Sequence, residues 1–210
     1  MPDSIKTVQV IINPASGQDA PMLAIMNRAF RAAKVDWDVK LTKEAGDAER
    51  FAREAIAAGV DAVGVYGGDG TVMEVASGMN KGGRALAIFP GGSANVMSVE
   101  LGIPGNLEEA VALVCSDARQ IRQIDMGRLG DQQMFMLRLG IGFFAETTKG
   151  ADREVKNRVG VLALWPVGAA SPAEGARNRF TPSRSTTVKL CRPKAWPPSS
   201  PIRAASAFPG

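Results

Sequence analysis

Along the first two-thirds of the chain, short apolar runs alternate with segments whose apolar residues recur every three or four positions. The first pattern fits strands, the second amphipathic helices. The apolar runs "TVQVII" from Thr7, "WDVKL" from Trp37, "DAVGVY" from Asp61 and "ALAIF" from Ala85 are expected strands. The periodic segments "PMLAIMNRAFRAA", "DAERFAREAIAAG" with Gly59 as its stop, and a stretch from about Thr71 to Asn80 are expected helices. A further helix, "NLEEAVALVCS", is opened by Asn106 with two glutamates in its first turn. This order of strand and helix predicts an α/β fold, a mostly parallel sheet flanked by helices on both faces.

From Ile121 the pattern changes. "IRQIDMGRL", "GDQQ" and "MFMLRLGIGF" predict two strands joined by a turn, the start of an antiparallel, incomplete β domain. After about Gly160 no period of 2 or 3.6 persists, and Pro, Ser, Ala and Arg dominate. The expected organisation is an α/β domain over residues 1–120, a second and mostly β domain beginning over 121–163, and a tail over 164–210 that is disordered or out of frame. The tail has the character of a GC-rich gene read in the wrong frame, and codons can be chosen for it that restore strand-like and helix-like strings in shifted frames.

Composition narrows the chemistry. With 45% hydrophobic residues, the 210-residue chain can bury a core. There is no histidine, so histidine triads, histidine-ligated zinc and imidazole acid–base catalysis are excluded. A general base must be a carboxylate or a lysine, or come from outside the chain. Cys115 and Cys191 match no metal or redox spacing and are expected to be inert. No apolar run approaches the ~20 residues of a membrane span. The net charge of +4 is concentrated late in the chain, because acidic residues almost vanish after Glu154. With no interleaved stacking aromatics, that basic tail supports no nucleic-acid partner.

The stretch "VYGGDGTVMEV" carries the most information. An apolar strand runs into Gly67, Gly68, Asp69 and Gly70 and a helical face then resumes. In a parallel sheet, ligands bind beyond the carboxyl ends of strands, where the next helix presents free N–H groups and the positive end of its dipole. Glycine lets backbone N–H groups approach an anion closely, Asp69 suits a divalent ion beside phosphate, and the Thr71 hydroxyl suits a helix cap. The spacing matches neither a Rossmann fingerprint nor a P-loop. An Asp-Gly hairpin turn is the structural alternative, but Val72, Val75, Ala76 and Met79 continue at helical spacing. The loops "NPASG" (Asn13–Gly17) and "PGGSAN" (Pro90–Asn95) follow two other strands, and Thr42 closes a third, so four strand ends converge on one edge of the sheet.

Together, "INPASG", "LTKEAGDA", "GGDGTVMEV", "PGGSANVMSVELGIP", "IDMGRL" and "LGIGFFAE" resemble, in order, the diacylglycerol kinase catalytic-domain family, which includes bacterial lipid kinases and sphingosine kinases. The resemblance runs from about Val8 to Ala163. It implies transfer of the ATP γ-phosphate to a lipid hydroxyl, of diacylglycerol or a related lipid, with Mg2+ as cofactor. It places the ATP site on Asn13, Pro14, Ala15, Ser16 and Gly17, on Thr42, on Gly67, Gly68, Asp69, Gly70, Thr71 and Glu74, and on Gly92, Ser93 and Asn95. Asp69 is the first choice for the catalytic carboxylate and the metal ligand. Glu74 is expected to assist it, to pair with Thr71 as a cap, or to lie on the surface. The family more often has threonine at Ser93 and an acidic residue at Val96. The resemblance implies a lipid partner at the membrane surface, a cytoplasmic protein peripheral to the inner membrane, and allows a homodimer. NAD kinase shares a GGDG loop but its downstream run is absent, phosphofructokinase loops are missing, and a non-catalytic nucleotide-binding fragment is the alternative from another functional class.

Overall fold

The structure, a computed structural model, describes residues 5–16, 21–79, 83–129, 133–136 and 187–194. Strands β1 (Thr7–Ile12), β2 (Asp36–Leu41), β3 (Ala62–Gly67) and β4 (Ala85–Pro90) form a parallel sheet in the order β2-β1-β3-β4. Helix α1 (Met22–Ala32) connects β1 to β2, α2 (Asp47–Ala58) connects β2 to β3, and α3 (Asp69–Gly78) connects β3 to β4. Each expected strand and helix over this stretch is present. Helix α2 stops at Gly59, whose left-handed conformation at φ +80° closes the helix.

Position in the sheet explains why some strands alternate and others do not. Interior β3 is buried at every residue, as a strand covered by helices on both faces must be. Edge strand β2 is half exposed and reads as alternating. Phe30 of α1 packs its ring against Trp37 of β2 and Phe89 of β4, at centroid distances of 5.3 and 6.5 Å. Full burial of side chains such as Phe30, Phe89, Ile11 and Val63 stabilises by about 1.5–3 kcal/mol each. Helices α2 and α3 touch closely at Gly78, where a Cβ would stand 2.2 Å from the Glu49 carbonyl oxygen.

Two helices follow β4. Asn106 caps α5 (Leu107–Cys115) as expected, its Oδ1 accepting from the N–H groups of Glu108 and Glu109. The short helix α4 (Val96–Leu101) follows the expected loop Pro90–Asn95 and was not assigned from sequence. Its signals are present in hindsight: Asn95 before it and Gly102 after it, both left-handed.

Beyond α5 the sequence reading needs correction. β5 (Arg119–Asp125), expected among the strands of a second region, is the edge strand of the same sheet. It joins through β8 (Thr187–Pro193), which pairs antiparallel with β5 along its length and parallel with β4 at Ala85↔Lys189 and Leu86↔Leu190. The expectation of a tail without regular structure therefore fails at residues 187–193. "TTVKLC" is rich in β-branched residues, and Val188, Leu190 and Cys191 are buried. The proline, serine and arginine around it hid this short run. The expected antiparallel pair does form, as β6 (Gly127–Leu129) with β7 (Gln133–Phe135). The rest of "MFMLRLGIGF", "LGIGFFAE" and the remainder of the tail lie outside the described residues. Burial pushes the Cys191 thiol up to about 12 and raises that of Cys115, in keeping with inert cysteines.

Candidate functional site

The strand order creates the site. From β1 the chain first moves outward to β2 and then crosses over β1 to reach β3, so the crossovers diverge between the carboxyl ends of β1 and β3. At such a switch point the two following loops splay apart and leave a crevice. Asn13 follows β1 and stitches this crevice. Its backbone N–H donates to the Tyr66 carbonyl at 3.0 Å, its Nδ2 donates to Thr71 Oγ1 at 3.0 Å, and its Oδ1 accepts from the Ala15 N–H at 3.0 Å. Thr71 is thereby a buried bridge across the crevice. It does not serve as the expected helix cap, because α3 begins two residues earlier, at Asp69, with Gly68 in the N-cap position and no side-chain cap bond.

The loops after β3 and β4 lie against each other. Gly91 donates its N–H to the Gly67 carbonyl at 3.1 Å, and a Cβ on Gly92 would come within 2.5 Å of the Gly68 Cα. That contact accounts for glycine at 92 through packing alone. Asn95 folds its own loop: its Oδ1 accepts from the Gly92 N–H at 2.8 Å and its Nδ2 donates to the Gly92 carbonyl at 2.6 Å. Its φ of +46° is a left-handed conformation that asparagine tolerates well. Ser93 is exposed at the loop tip.

The carboxylate of Asp69 accepts from the N–H groups of Val96 and Met97, both at 3.1 Å. These are orphan donors at the start of α4, and an anion there offsets the helix dipole. Asp69 thus fastens α3 to the loop after β4, and each oxygen keeps a second lone pair. Glu74 lies farther along α3, and its Oε2 accepts from the Gly46 N–H at 3.0 Å, in the loop between β2 and α2. It pairs with neither Thr71 nor Asp69.

The β2–α2 loop is held by a second carboxylate that the sequence reading placed only at a helix start. Asp47, 7% exposed, accepts from the N–H groups of Lys43 and Glu44 at 2.8 and 3.2 Å and from Arg50 Nη2 at 2.5 Å. The Lys43 N–H, then Arg50 and the Glu44 N–H, lower its carboxyl to about 2. An Asp four residues past a loop lysine is too common a pattern to have signalled this role. Thr42 is positioned by its N–H, which donates to the Ile12 carbonyl at 2.9 Å and so sets the end of β2 beside the end of β1.

Of the residues assigned from sequence, Asn13, Thr71, Asp69, Gly67, Gly68, Gly92 and Asn95 therefore belong to one bonded or packed constellation centred on the start of α3, and Glu74 stands apart from it on the β2–α2 loop. Pro14 and Ala15 are exposed beside it, Ser16 donates its N–H to the Asn13 carbonyl at 3.0 Å, and Gly17 lies outside the described residues. The first helical hydrogen bond of α3 is made by Val72, to the Gly68 carbonyl at 3.1 Å. The N–H groups of Asp69, Gly70 and Thr71 precede it and have no partner within the helix. Among the described residues, no group of three His, Cys, Asp or Glu side chains is placed to hold a metal, and no helix is long and apolar enough to cross a membrane.

Comparison with known proteins agrees with this geometry. The family profile "Diacylglycerol kinase catalytic domain" matches residues 7–129. A "Probable lipid kinase YegS-like" of Pseudomonas putida is 34% identical over 177 residues, which is 80% of this chain and 56% of that protein. Its Pseudomonas aeruginosa counterpart is 33% identical over 183 residues, 85% of this chain and 59% of that protein. The chain thus spans somewhat more than half the length of these relatives. A crystal structure of a diacylglycerol kinase from Bacillus anthracis superposes with a TM-score of 0.55 at 34% identity, over 61% of this chain and 49% of that one. The switch-point crevice, the glycine loop and these matches together show that the chain belongs to the diacylglycerol kinase catalytic-domain family.

Proposed function

We propose that the crevice between β1 and β3 binds the phosphates of ATP, and that the protein is an ATP-dependent lipid kinase acting on the hydroxyl of diacylglycerol or a related lipid at a membrane surface. Gly70 is the observation that carries this reading. A Cβ built there meets nothing within 4 Å, and its φ is not left-handed. Neither close packing nor a left-handed backbone therefore calls for glycine at this position. Glycine there leaves the N-terminal N–H groups of α3 bare for an anion, as phosphate binding requires.

The chemistry asks for positioning and charge neutralisation. The acceptor oxygen bonds to the γ-phosphorus as the bond to the β–γ bridging oxygen breaks, and the hydroxyl proton passes to a base. In a chain without histidine that base is a carboxylate, a lysine, or a group outside the described residues. Mg2+ fits the donor set: it is typically held by one or two carboxylates plus phosphate and water, and Asp69 offers one carboxylate with lone pairs to spare. When bound, it would neutralise charge on the phosphates.

The test separates binding from transfer. Calorimetric titration with ADP and ATP in Mg2+ reports binding, and radiolabelled ATP with diacylglycerol in mixed micelles reports transfer. Gly70→Leu is expected to abolish both while leaving the melting temperature unchanged or higher. Unaltered nucleotide affinity in Gly70→Leu would overturn the crevice assignment, and nucleotide binding without label in any lipid would leave a nucleotide-binding protein of another activity.

A further inference from the structure

Resting on the nucleotide reading above, we propose that Glu74 is a positioning residue. It ties α3, which presents the phosphate-binding N–H groups, to the loop that carries Thr42, and it contacts neither nucleotide nor metal.

Carboxylates take three N–H groups of the β2–α2 loop. Asp47 takes the Lys43 and Glu44 N–H groups, and Glu74 takes that of Gly46. Gly46, at φ +89°, is a left-handed residue at the start of α2, a conformation that favours glycine. A loop with three of its N–H groups already on carboxylates has few left to cradle phosphate. The Thr42 side chain, at the carboxyl end of β2, is the loop group that the ATP-site assignment uses.

The sheet links only the first residue of this loop to α3, and indirectly, through the Thr42 N–H on Ile12 and the Asn13 side chain on Thr71. Strand β2 pairs with β1 alone, and β3 lies on the far side of β1. Helices α2 and α3 do pack together, at Gly78 against Glu49, but that contact lies a turn beyond Glu74 along α3. The Thr42 end of the loop is held to β1 by the Thr42 N–H on the Ile12 carbonyl, and the Glu74–Gly46 hydrogen bond holds its other end to α3. The two ties together set how the loop that carries Thr42 stands against the N-terminal half of α3, the geometry that a nucleotide touching both would have to match.

The hydrogen bond needs an acceptor and not a negative charge, which gives the test its discrimination. ADP affinity is measured by calorimetry for the full chain, for Glu74→Ala, Glu74→Gln and Thr42→Val, and for Glu74→Ala combined with Thr42→Val, with a melting temperature for each. Glu74→Ala is expected to weaken ADP binding about tenfold, the scale of a lost hydrogen bond to a charged group. Glu74→Gln restores most of that loss, because its amide oxygen still accepts from Gly46. In the Thr42→Val background Glu74→Ala has little further effect, since the residue it positions is already gone.

An unchanged affinity in Glu74→Ala overturns the proposal. So does a Glu74→Gln variant as weak as Glu74→Ala, which would show that the charge acts directly on metal or nucleotide. Additive losses in the double variant overturn it as well, by showing a general structural effect. If the wild-type chain binds no adenine nucleotide at all, the crevice reading fails first and the tie falls with it.

Discussion

Two charged side chains, on opposite flanks of the sheet, are equally buried. Asp47 and Arg192 are each 7% exposed, yet their surroundings are opposite. The Asp47 carboxylate accepts from two backbone N–H groups and from Arg50, and its charged form is favoured. The Arg192 guanidinium donates through Nε and Nη2 to a single acceptor, Gln120 Oε1, at 3.1 and 2.8 Å. Its Nη1 is buried with no partner among the described residues. Burial, and then the nearby charge of Arg122, lower its pKa and disfavour its charged form. Asp47 on the β1–β4 flank is thus fully paired where Arg192 on the β5–β8 flank is not, although the first flank also holds one buried side-chain nitrogen, Gln9 Nε2 of β1, without a partner among the described residues. The first flank arises from short strand–helix crossovers in which each element specifies its neighbour. The second depends on a strand that arrives from far along the chain and pairs with β4 at only two residue pairs.

The sharpest way to break this contrast is to strike the well-packed flank where it has no slack. At Gly78 an added Cβ would stand 2.2 Å from a backbone oxygen and 2.8 Å from the Ala52 Cβ. Gly78→Ala must force α2 and α3 apart, and we expect it to cost about 3 kcal/mol in a urea unfolding titration, the upper end of overpacking effects. A cost within the ordinary range of surface substitutions, about 0.5 kcal/mol, would show that this flank is as loosely determined as the other.

Asp47 gives a subtler probe on the same flank. Its carboxyl titrates at about 2 in the folded chain, against about 3.9 when unfolded. A carboxyl with a depressed pKa stabilises the fold above its unfolded value, and that contribution is lost as the pH falls through the folded value. The stability gap between the wild type and Asp47→Asn should therefore be full near pH 6, shrink below pH of about 4, and nearly close near pH 2. Urea midpoints across that range check it; parallel curves would mean that Arg50 and the loop N–H groups do not hold the carboxylate as described.

The same contrast marks how far the sequence could be read. Strands β1 to β4, helices α1, α2, α3 and α5, and the gathering of glycine loops at one sheet edge follow from local period, caps and turn chemistry. What the sequence left open was which partner each polar side chain would choose. Thr71 was expected to cap its own helix and instead bridges to Asn13. Asp69 was read for metal and phosphate, and it also holds the start of α4. Such choices depend on where other loops arrive in space, which no local pattern encodes. β8 was missed because its strand signal is short and its partners, β4 and β5, are remote in sequence. Its pairing also moved the end of the first sheet past residue 120.

The smallest expected effect has the opposite sign, and the comparison turns on it. Arg192 packs on the same face of the β5–β8 ladder as Gln120 and Leu190, and Leu190 is fully buried. Methionine there would keep much of the side-chain length and its apolar contacts while removing the unpartnered nitrogen. Losing the Gln120 hydrogen bonds costs little, because Gln120 is exposed and water replaces them. Relieving a buried, unpaired guanidinium group returns more, so Arg192→Met should raise stability by about 1 kcal/mol. The urea midpoint of Arg192→Met against wild type measures it, with Arg192→Lys as a control that keeps a buried charge and should give no gain. Destabilisation by Arg192→Met would mean that Nη1 is satisfied in solution. The β5–β8 flank would then be as well determined as the one that carries Asp47.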